Sequence, residues 1–486
     1  MDTIVAEEIE ATDAILDSER HPAVDTPESR PAPEPMTQRR VLGLATPIIG
    51  ENLLQTMVGA VDTFLVARLG AYAVAGVGIG FEIVFFIISI LSAVDIGATV
   101  LVAQSIGAGD RNRANHYARQ AIVWGLAMAV PVSILLYVAS PTIVGLFGTE
   151  PDVAGAATTY MQITAAAAIA LFLSFVSGAV LRGAGDSRTP LAASVIANLV
   201  NVVLTYLLIF GHFGFPALGV AGSAIGAATG RGCGAVFMLI AMFSGKRAIS
   251  LRGRTGWTPE WRSARELFRL GIPAATEQML ASASFMALVA VVALIGTAAL
   301  AAQQISFTAL SLAFLPGIGF SIAATALVGQ SIGARVPRDA RTAWRISLRW
   351  ALVWMVTGSV FVFILGERVM GIFSSDPEVV SAGASALRAL SFALPFWAVW
   401  FVSSGGLRGS GDTRTPLLIG ASSLWSAVVL AWIGVKWFDA GMGWVWSSYV
   451  ITTGPAACIA FLAFRKRISE YEQGRRELPK LEPTSH

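Results

Sequence analysis

One twelve-residue motif occurs twice in this chain of 486 residues, as VLRGAGDSRTPL at 180–191 and as GLRGSGDTRTPL at 406–417. The two copies are 226 positions apart, and other segments repeat at the same offset. They include the QSIGA sequences at 104–108 and 330–334 and the prolines Pro47 and Pro273. Because one offset without insertions relates all of these pairs, we predict that the chain is a duplication of one structural half.

The composition predicts that both halves lie in a membrane. Hydrophobic residues make up 55% of the chain and charged residues 13%, whereas soluble domains carry about 25% charged residues. Apolar runs that are long enough to cross a hydrocarbon core of about 30 Å recur along the whole length. The predicted helical spans are 41–67, 72–107, 112–139, 153–182, 189–211, 217–244, 266–293, 298–333, 338–365, 379–407, 415–436 and 442–464. We therefore predict an all-α polytopic membrane protein with twelve transmembrane helices in two six-helix bundles.

The topology follows from the number of spans and from the positions of arginine and lysine. Six spans return each half to its starting side, so the repeat is parallel, with a pseudo-two-fold axis along the membrane normal and a central cleft between the bundles. Most arginine and lysine residues near the span ends fall on one side of the membrane, together with both ends of the chain. By the positive-inside rule that side is cytoplasmic, which predicts a plasma-membrane protein with both termini in the cytoplasm.

The spans and loops divide the chain into five predicted parts. These are an acidic tail at 1–38, an N-terminal bundle at 39–244, a cytoplasmic linker at 245–265, a C-terminal bundle at 266–465 and a tail at 466–486. The first tail holds ten acidic residues, two arginines and several prolines, and it has no apolar run. This composition is typical of disorder and not of a signal peptide. The remaining chain is net basic, which fits an anionic inner leaflet and not nucleic acid.

These features together resemble the multidrug and toxic compound extrusion (MATE) transporters. The resemblance rests on the two six-span halves, the paired LRGxGDxRTP turns, the QSIGA segments and the Val61-Asp62-Thr63 triplet, and it covers residues 38–466. It implies a secondary active antiporter that exports organic, mostly cationic amphipathic compounds in exchange for H⁺ or Na⁺ by alternating access. It also implies that the protein needs no cofactor and is not an enzyme, and we expect a monomer.

Ionisable side chains inside the spans are candidate functional groups, because placing a charge in the bilayer costs at least about 2.5 kcal/mol. Two polar faces contain Glu51, Gln55 and Asp62 on the first span and Asn198, Asn201 and Thr205 on the fifth. Carboxylate, amide and hydroxyl oxygens suit a small hard cation, or a proton with its hydrogen-bond partners. An ion pocket forms if these two faces meet.

The second half provides an internal comparison for this pocket. At the same offset, Asp62 and Asn201 become Leu288 and Ala427, so the ion-coupling site is expected in the N-terminal half. The resemblance assigns cation coupling to Asp62, Asn198 and Asn201. Family members often have a second aspartate where this chain has Thr205, and one carboxylate fewer favours H⁺ over Na⁺. A sodium ion at Asp62 is the one metal that the sequence leaves open.

The remaining candidates are substrate contacts and charge partners. Glu51 and Glu277 occupy matched positions, where they either face each other across the cleft and attract cations or hydrogen-bond the backbone near the prolines. Further cleft candidates are Gln55, Gln278, Trp397 and Trp400, the tryptophans through cation–π contact or as members of an interface belt. Possible charge partners are Arg231, Glu82 and Asp95, of which Asp95 lies near the cytoplasmic end of its span.

Two other functions compete with the antiporter. A flippase for a lipid-linked precursor, or an exporter of one specific metabolite, remains the alternative, but the cleft candidates are net acidic and favour cationic cargo. A prenyl transferase would need clustered aspartates to hold Mg²⁺ and diphosphate. The sequence contains no such cluster, which argues against this class of enzyme.

Overall fold

The computed structural model describes residues 35–477, and within this range the secondary structure is helical, with no β-strand. The helices are α1 (Gln38–Ala67), α2 (Ala71–Gly107), α3 (Arg111–Gly145), α4 (Pro151–Ala166), α5 (Ala168–Gly183), α6 (Arg188–Phe210), α7 (Val220–Phe243), α8 (Trp261–Ala293), α9 (Thr297–Gly333), α10 (Pro337–Phe373), α11 (Pro377–Gly409), α12 (Arg414–Phe438) and α13 (Met442–Glu472). Eleven of them are long and apolar enough to span a membrane, and α4 with α5 forms a twelfth, bent span. The predicted fold class of twelve helical spans in two bundles is confirmed.

Several predicted boundaries differ from the observed ones, among them the ends of the third and ninth spans, which run on from 139 to Gly145 and from 365 to Phe373. The fourth span is not one helix, because it breaks at Ala167 and bends by 55°. The observed linker is shorter than predicted, because α8 already begins at Trp261. The region predicted as a C-terminal tail begins as helix, because α13 continues to Glu472. Helices that run on into water keep their backbone hydrogen bonds after the apolar sequence ends, so hydropathy does not mark their ends. The tail residues 1–34 and 478–486 lie outside the described residues.

The repeated LRGxGDxRTP motif forms the same turn in both halves. Gly185 and Gly411 have φ angles of +91° and +84°, the left-handed region that favours glycine. The next residue, an aspartate, accepts a hydrogen bond from a threonine N–H at the start of the following helix, at 3.0 Å in both copies. The motif is therefore a capped helix-to-helix turn, which holds α5 against α6 and α11 against α12.

Each half sends the first part of its first helix into the core of the other half. Val41, Leu44 and Ile48 of α1 are buried in the hydrophobic core of the C-terminal bundle. Leu267 and Leu270 of α8 are buried in the core of the N-terminal bundle. The first turns of α1 and α8 are therefore exchanged between the bundles, each packing in the opposite bundle. We call them the exchanged helix turns, and they lie on the side of the arginine-rich loops.

Two glutamine side chains join the bundles at the same end. Gln104 of α2 donates from Nε2 to the carbonyl oxygen of Gly409 at 3.2 Å, and Gln330 of α9 donates to the carbonyl oxygen of Gly183 at 3.0 Å. Both glutamines are buried, so these bonds form away from water. The donor and the acceptor of each bond come from different halves, and the bonds are related by the 226-residue offset.

Glycine makes this crossing of α2 and α9 possible. A Cβ atom at Gly107 would overlap the carbonyl oxygen of Gln330, and one at Gly333 would overlap that of Gln104. We call the contact formed by Gln104, Gly107, Gln330 and Gly333 the Gln–Gly crossing. It closes the protein at the predicted cytoplasmic end.

Candidate functional site

A buried chain of hydrogen bonds links α6 to α1 in the N-terminal bundle. Thr205 donates from Oγ1 to Asn201 Oδ1 at 2.9 Å, and Asn201 donates from Nδ2 to Asp62 Oδ2 at 2.9 Å. Thr205 is fully buried and Asn201 is 7% exposed. Both polar groups of the Asn201 amide are thus engaged, which fixes its orientation toward the carboxylate.

Close packing of α7 on α6 protects this chain from water. A Cβ atom at Gly226 of α7 would overlap Thr205 Oγ1, and one at Gly230 would lie 3.0 Å from Asn201 Cβ. The two glycines are one helical turn apart, so the same face of α7 approaches both polar residues. The small residues of α7 therefore determine how deeply Asn201 and Thr205 are buried.

Asp62 retains one carboxylate oxygen that is available for a ligand. Its Oδ1 atom is buried and has no hydrogen-bond partner among the described residues. Arg231 of α7 is close enough to act electrostatically on Asp62 and on the buried Tyr160 of α4. A buried carboxylate oxygen without a donor is costly, and a proton or a small cation would relieve that cost.

Two residues of the predicted ion pocket do not join this chain. Asn198 is half-buried and donates from Nδ2 to Ser194 Oγ at 3.5 Å, one turn before it on the same helix. Gln55 is exposed. The structure thus brings together Asp62, Asn201 and Thr205 of the predicted set.

The matched positions of the C-terminal bundle are apolar and packed. Leu288 replaces Asp62 and is fully buried, while Ala427 and Ala431 replace Asn201 and Thr205 and are also fully buried. All three belong to one hydrophobic core. The duplication thus preserves the packing at this place and not the polar chemistry.

Glu51 and Glu277 are each paired with an arginine of the repeated turn and do not face each other across the cleft. Arg182 Nη1 lies 3.2 Å from Glu51 Oε2, and Arg408 Nη2 lies 2.7 Å from Glu277 Oε1. The glutamate side chains are 14% and 11% exposed, so each carboxylate needs a nearby counter-charge. Sequence reasoning missed both arginines, although all four residues obey the 226-residue offset.

Asp95 shares Arg182 with Glu51, since its Oδ1 lies 4.0 Å from Arg182 Nη2. The matched position in the second half is Ser321, whose hydroxyl donates to the Phe401 carbonyl oxygen at 2.6 Å. Glu82, the other predicted acidic partner, is exposed. The charge cluster at Arg182 therefore differs between the halves by one acidic residue.

The remaining substrate candidates do not share one environment. Trp397 and Trp400 are only 5% and 6% exposed, and both rings pack on Phe401 in the core of the C-terminal bundle. Gln278 is exposed. Direct stacking of the tryptophans on a substrate would require repacking of this core, because neither ring presents a free face.

Thr205→Val should lower gradient-driven export by about tenfold, because a buried amide oxygen left without its donor costs about 1–3 kcal/mol. Valine keeps the shape of the side chain and removes the hydroxyl that holds Asn201. Thr205→Ser keeps the hydroxyl and is the matched control, which should export like the wild type. The measurement is the initial rate of substrate export at equal protein level, and equal rates for the valine and serine variants would refute a role for this bond.

The two pseudo-symmetric bundles and the buried ionisable site define a multi-pass membrane transporter. The MatE family model matches residues 47–207 and 273–433, one segment in each half. The chain belongs to the MatE family, which confirms the resemblance found in the sequence.

The similarity to individual relatives extends over most of the length of both chains. The chain is 30% identical over 418 residues to the probable multidrug resistance protein NorM of Thermotoga maritima, covering 85% of this chain and 89% of that protein. It is 28% identical over 453 residues to the multidrug resistance protein PmpM of Pseudomonas aeruginosa, covering 90% of this chain and 94% of that protein. A solved MOP superfamily transporter from Pyrococcus furiosus has the same fold, with a TM-score of 0.84, 23% identity and coverage of 90% of this chain and 96% of its own.

Proposed function

We propose that this protein is a multidrug efflux antiporter that exports amphipathic organic cations from the cytoplasm in exchange for protons. The names of its relatives support multidrug export. The observation that carries the proton coupling is the geometry at Asp62. One buried carboxylate oxygen has no donor in the part of the chain that the structure describes, and the Asn201 amide points its N–H₂ group at the other oxygen.

The same geometry favours H⁺ over Na⁺. A hard cation is held by several oxygen ligands, whereas the Asn201 oxygen already accepts the Thr205 hydroxyl. Asp62 is the one acidic residue among the hydrogen-bonded side chains Asp62, Asn201 and Thr205, and one carboxylate is sufficient for a proton. The site needs no cofactor for this exchange.

The contacts between the bundles support transport by alternating access. The Gln–Gly crossing and the exchanged helix turns close the end that carries the arginine-rich loops, which we assign to the cytoplasm together with both termini. Opening this end requires the two bundles to rock apart. A proton at Asp62 biases the equilibrium between the two orientations only through a difference in its affinity for them.

The direct test uses proteoliposomes that contain the purified protein with its cytoplasmic side facing outward. We expect uptake of a fluorescent organic cation when the vesicle interior is acidified, and loss of uptake when a protonophore collapses the pH gradient. An imposed sodium gradient without a pH gradient should give no uptake, and sodium-driven uptake would assign the coupling to Na⁺ instead. If correctly folded protein moves no organic cation under either gradient, a flippase or a metabolite exporter would be favoured instead.

A further inference from the structure

The crevice between α10 and α13 at the predicted cytoplasmic surface is a cavity of about 260 Å³. Three arginines line it: Arg341 and Arg345 from α10 and Arg465 from α13. Beneath them lies an aromatic floor, in which Trp344 is 4% exposed and Phe464 is fully buried. The cavity therefore combines a cationic rim with an apolar base.

The arginines are differently engaged. Arg341 Nη2 lies 2.6 Å from Glu472 Oε2, so one of the three charges is balanced by a carboxylate. The Arg465 guanidinium lies 5.6 Å from the centre of the Phe461 ring. Arg345 and Arg465 are exposed, so two cationic groups face the cavity from its two walls.

The duplication shows what fills the matching crevice in the N-terminal bundle. Asn115 and Arg119 of α3 stand where Arg341 and Arg345 stand on α10. Asn115 accepts the Ser250 backbone N–H at 2.7 Å, and Arg119 donates to the carbonyl oxygens of Thr255 and Arg252, the former at 2.7 Å. The segment between α7 and α8 therefore covers this crevice with its own backbone oxygens.

We propose that the crevice between α10 and α13 binds the phosphate headgroup of an anionic phospholipid from the inner leaflet. In the N-terminal bundle, backbone carbonyl oxygens of the chain satisfy the arginine of the crevice. In the C-terminal bundle, the headgroup phosphate takes that place between Arg345 and Arg465. Basic pockets between helices at the cytoplasmic surface are typical headgroup sites. The half-buried Phe461 ring, which also lines the cavity, favours a lipid over a free anion, because it offers apolar surface to the first part of an acyl chain.

Native mass spectrometry of the full-length protein in detergent tests this site. The protein is titrated with phosphatidylglycerol or with phosphatidylcholine of the same acyl chains. We expect preferential retention of phosphatidylglycerol by the wild type. The double variant Arg345→Gln/Arg465→Gln should lose roughly thirtyfold in affinity for it, the combined effect of two arginines at a membrane surface. Retention of phosphatidylcholine should not change.

Arg349→Gln is the matched control, since Arg349 is exposed on α10, one turn beyond Arg345, and does not line the cavity. It should bind phosphatidylglycerol like the wild type. Equal loss in the control and in the double variant, or no loss in either, would overturn the site. Displacement of the lipid by millimolar inorganic phosphate would assign the arginines to a soluble anion instead. Protease protection of residues 1–34 or of residues 478–486 that is lost in the double variant would assign the arginines to one of the chain's own tails. Either displacement by phosphate or such protection overturns the lipid proposal.

Discussion

Asp62→Asn is expected to reduce gradient-driven efflux to the level of cells without the transporter, with normal insertion and folding. Asparagine keeps the size of the side chain and an oxygen for the Asn201 N–H₂ group, which lies 2.9 Å from the carboxylate in the wild type. It removes the charge and the group that can be protonated. Because a ligand drives a conformational change only through differential affinity, a site that cannot take up a proton cannot couple the gradient to export.

The measurement is efflux of a fluorescent organic cation from energised cells, with protein levels matched by immunoblot. Asp152→Asn makes the same chemical change at an exposed position of the same bundle and should leave efflux unchanged. A protonophore should leave the residual efflux of the Asp62→Asn variant unchanged, whereas it should abolish the efflux of the wild type. Normal gradient-driven efflux by Asp62→Asn would contradict the assignment of coupling to this residue.

Gly333→Leu is expected to abolish export for a different reason. The Cβ atom of Gly333 would overlap the Gln104 carbonyl oxygen, and backbone at a helix crossing cannot move aside as the end of a flexible side chain can. The leucine variant therefore prevents α2 and α9 from closing at the cytoplasmic end. The transporter would remain open to the cytoplasm and could not complete its cycle.

Two readouts separate this block from simple misfolding. The first is efflux, with Gly145→Leu as the control, because Gly145 is also helical and a Cβ there meets no atom within 4 Å. The second is the distance between spin labels at the exposed residues Arg111 and Arg338, which flank the crossing in the two halves. We expect a longer distance in Gly333→Leu than in the wild type and in the control. An unchanged distance together with lost efflux would show that the crossing is not the gate.

The duplication made most of the fold predictable from the sequence. The number of spans, the parallel arrangement of the bundles and the capped turns all follow from hydropathy and from one offset. The break at Ala167 was not predictable, because no proline or glycine marks it. Ser133 donates to the Ala165 carbonyl oxygen just before the break, but the matched bond from Ser359 to Ser391 is present in the unbroken α11. That bond alone does not break the helix.

The candidate site was predictable in part. Helical spacing placed Asn201 and Thr205 on one face, and the structure joins that face to Asp62. The same spacing did not exclude Asn198, whose amide instead donates to Ser194 one turn before it on the same helix. Arg182 and Arg408 were overlooked as partners because they belong to a loop motif, whereas their acidic partners lie in other helices. Such pairs depend on the packing of the bundle, which spacing along the chain does not contain.

The reciprocal glutamine bonds have a consequence for the origin of the protein. In a two-fold symmetric dimer, each contact from one subunit to the other occurs twice, with the roles of the subunits exchanged. Gln104 with Gly409 and Gln330 with Gly183 follow this rule within a single chain, as do the exchanged helix turns of α1 and α8. The interface between the bundles therefore has the two-fold pattern of a homodimer of six-helix subunits, which is the pattern expected when one gene is duplicated and fused. The two halves differ at Asp62, where the matched position of the other half is Leu288.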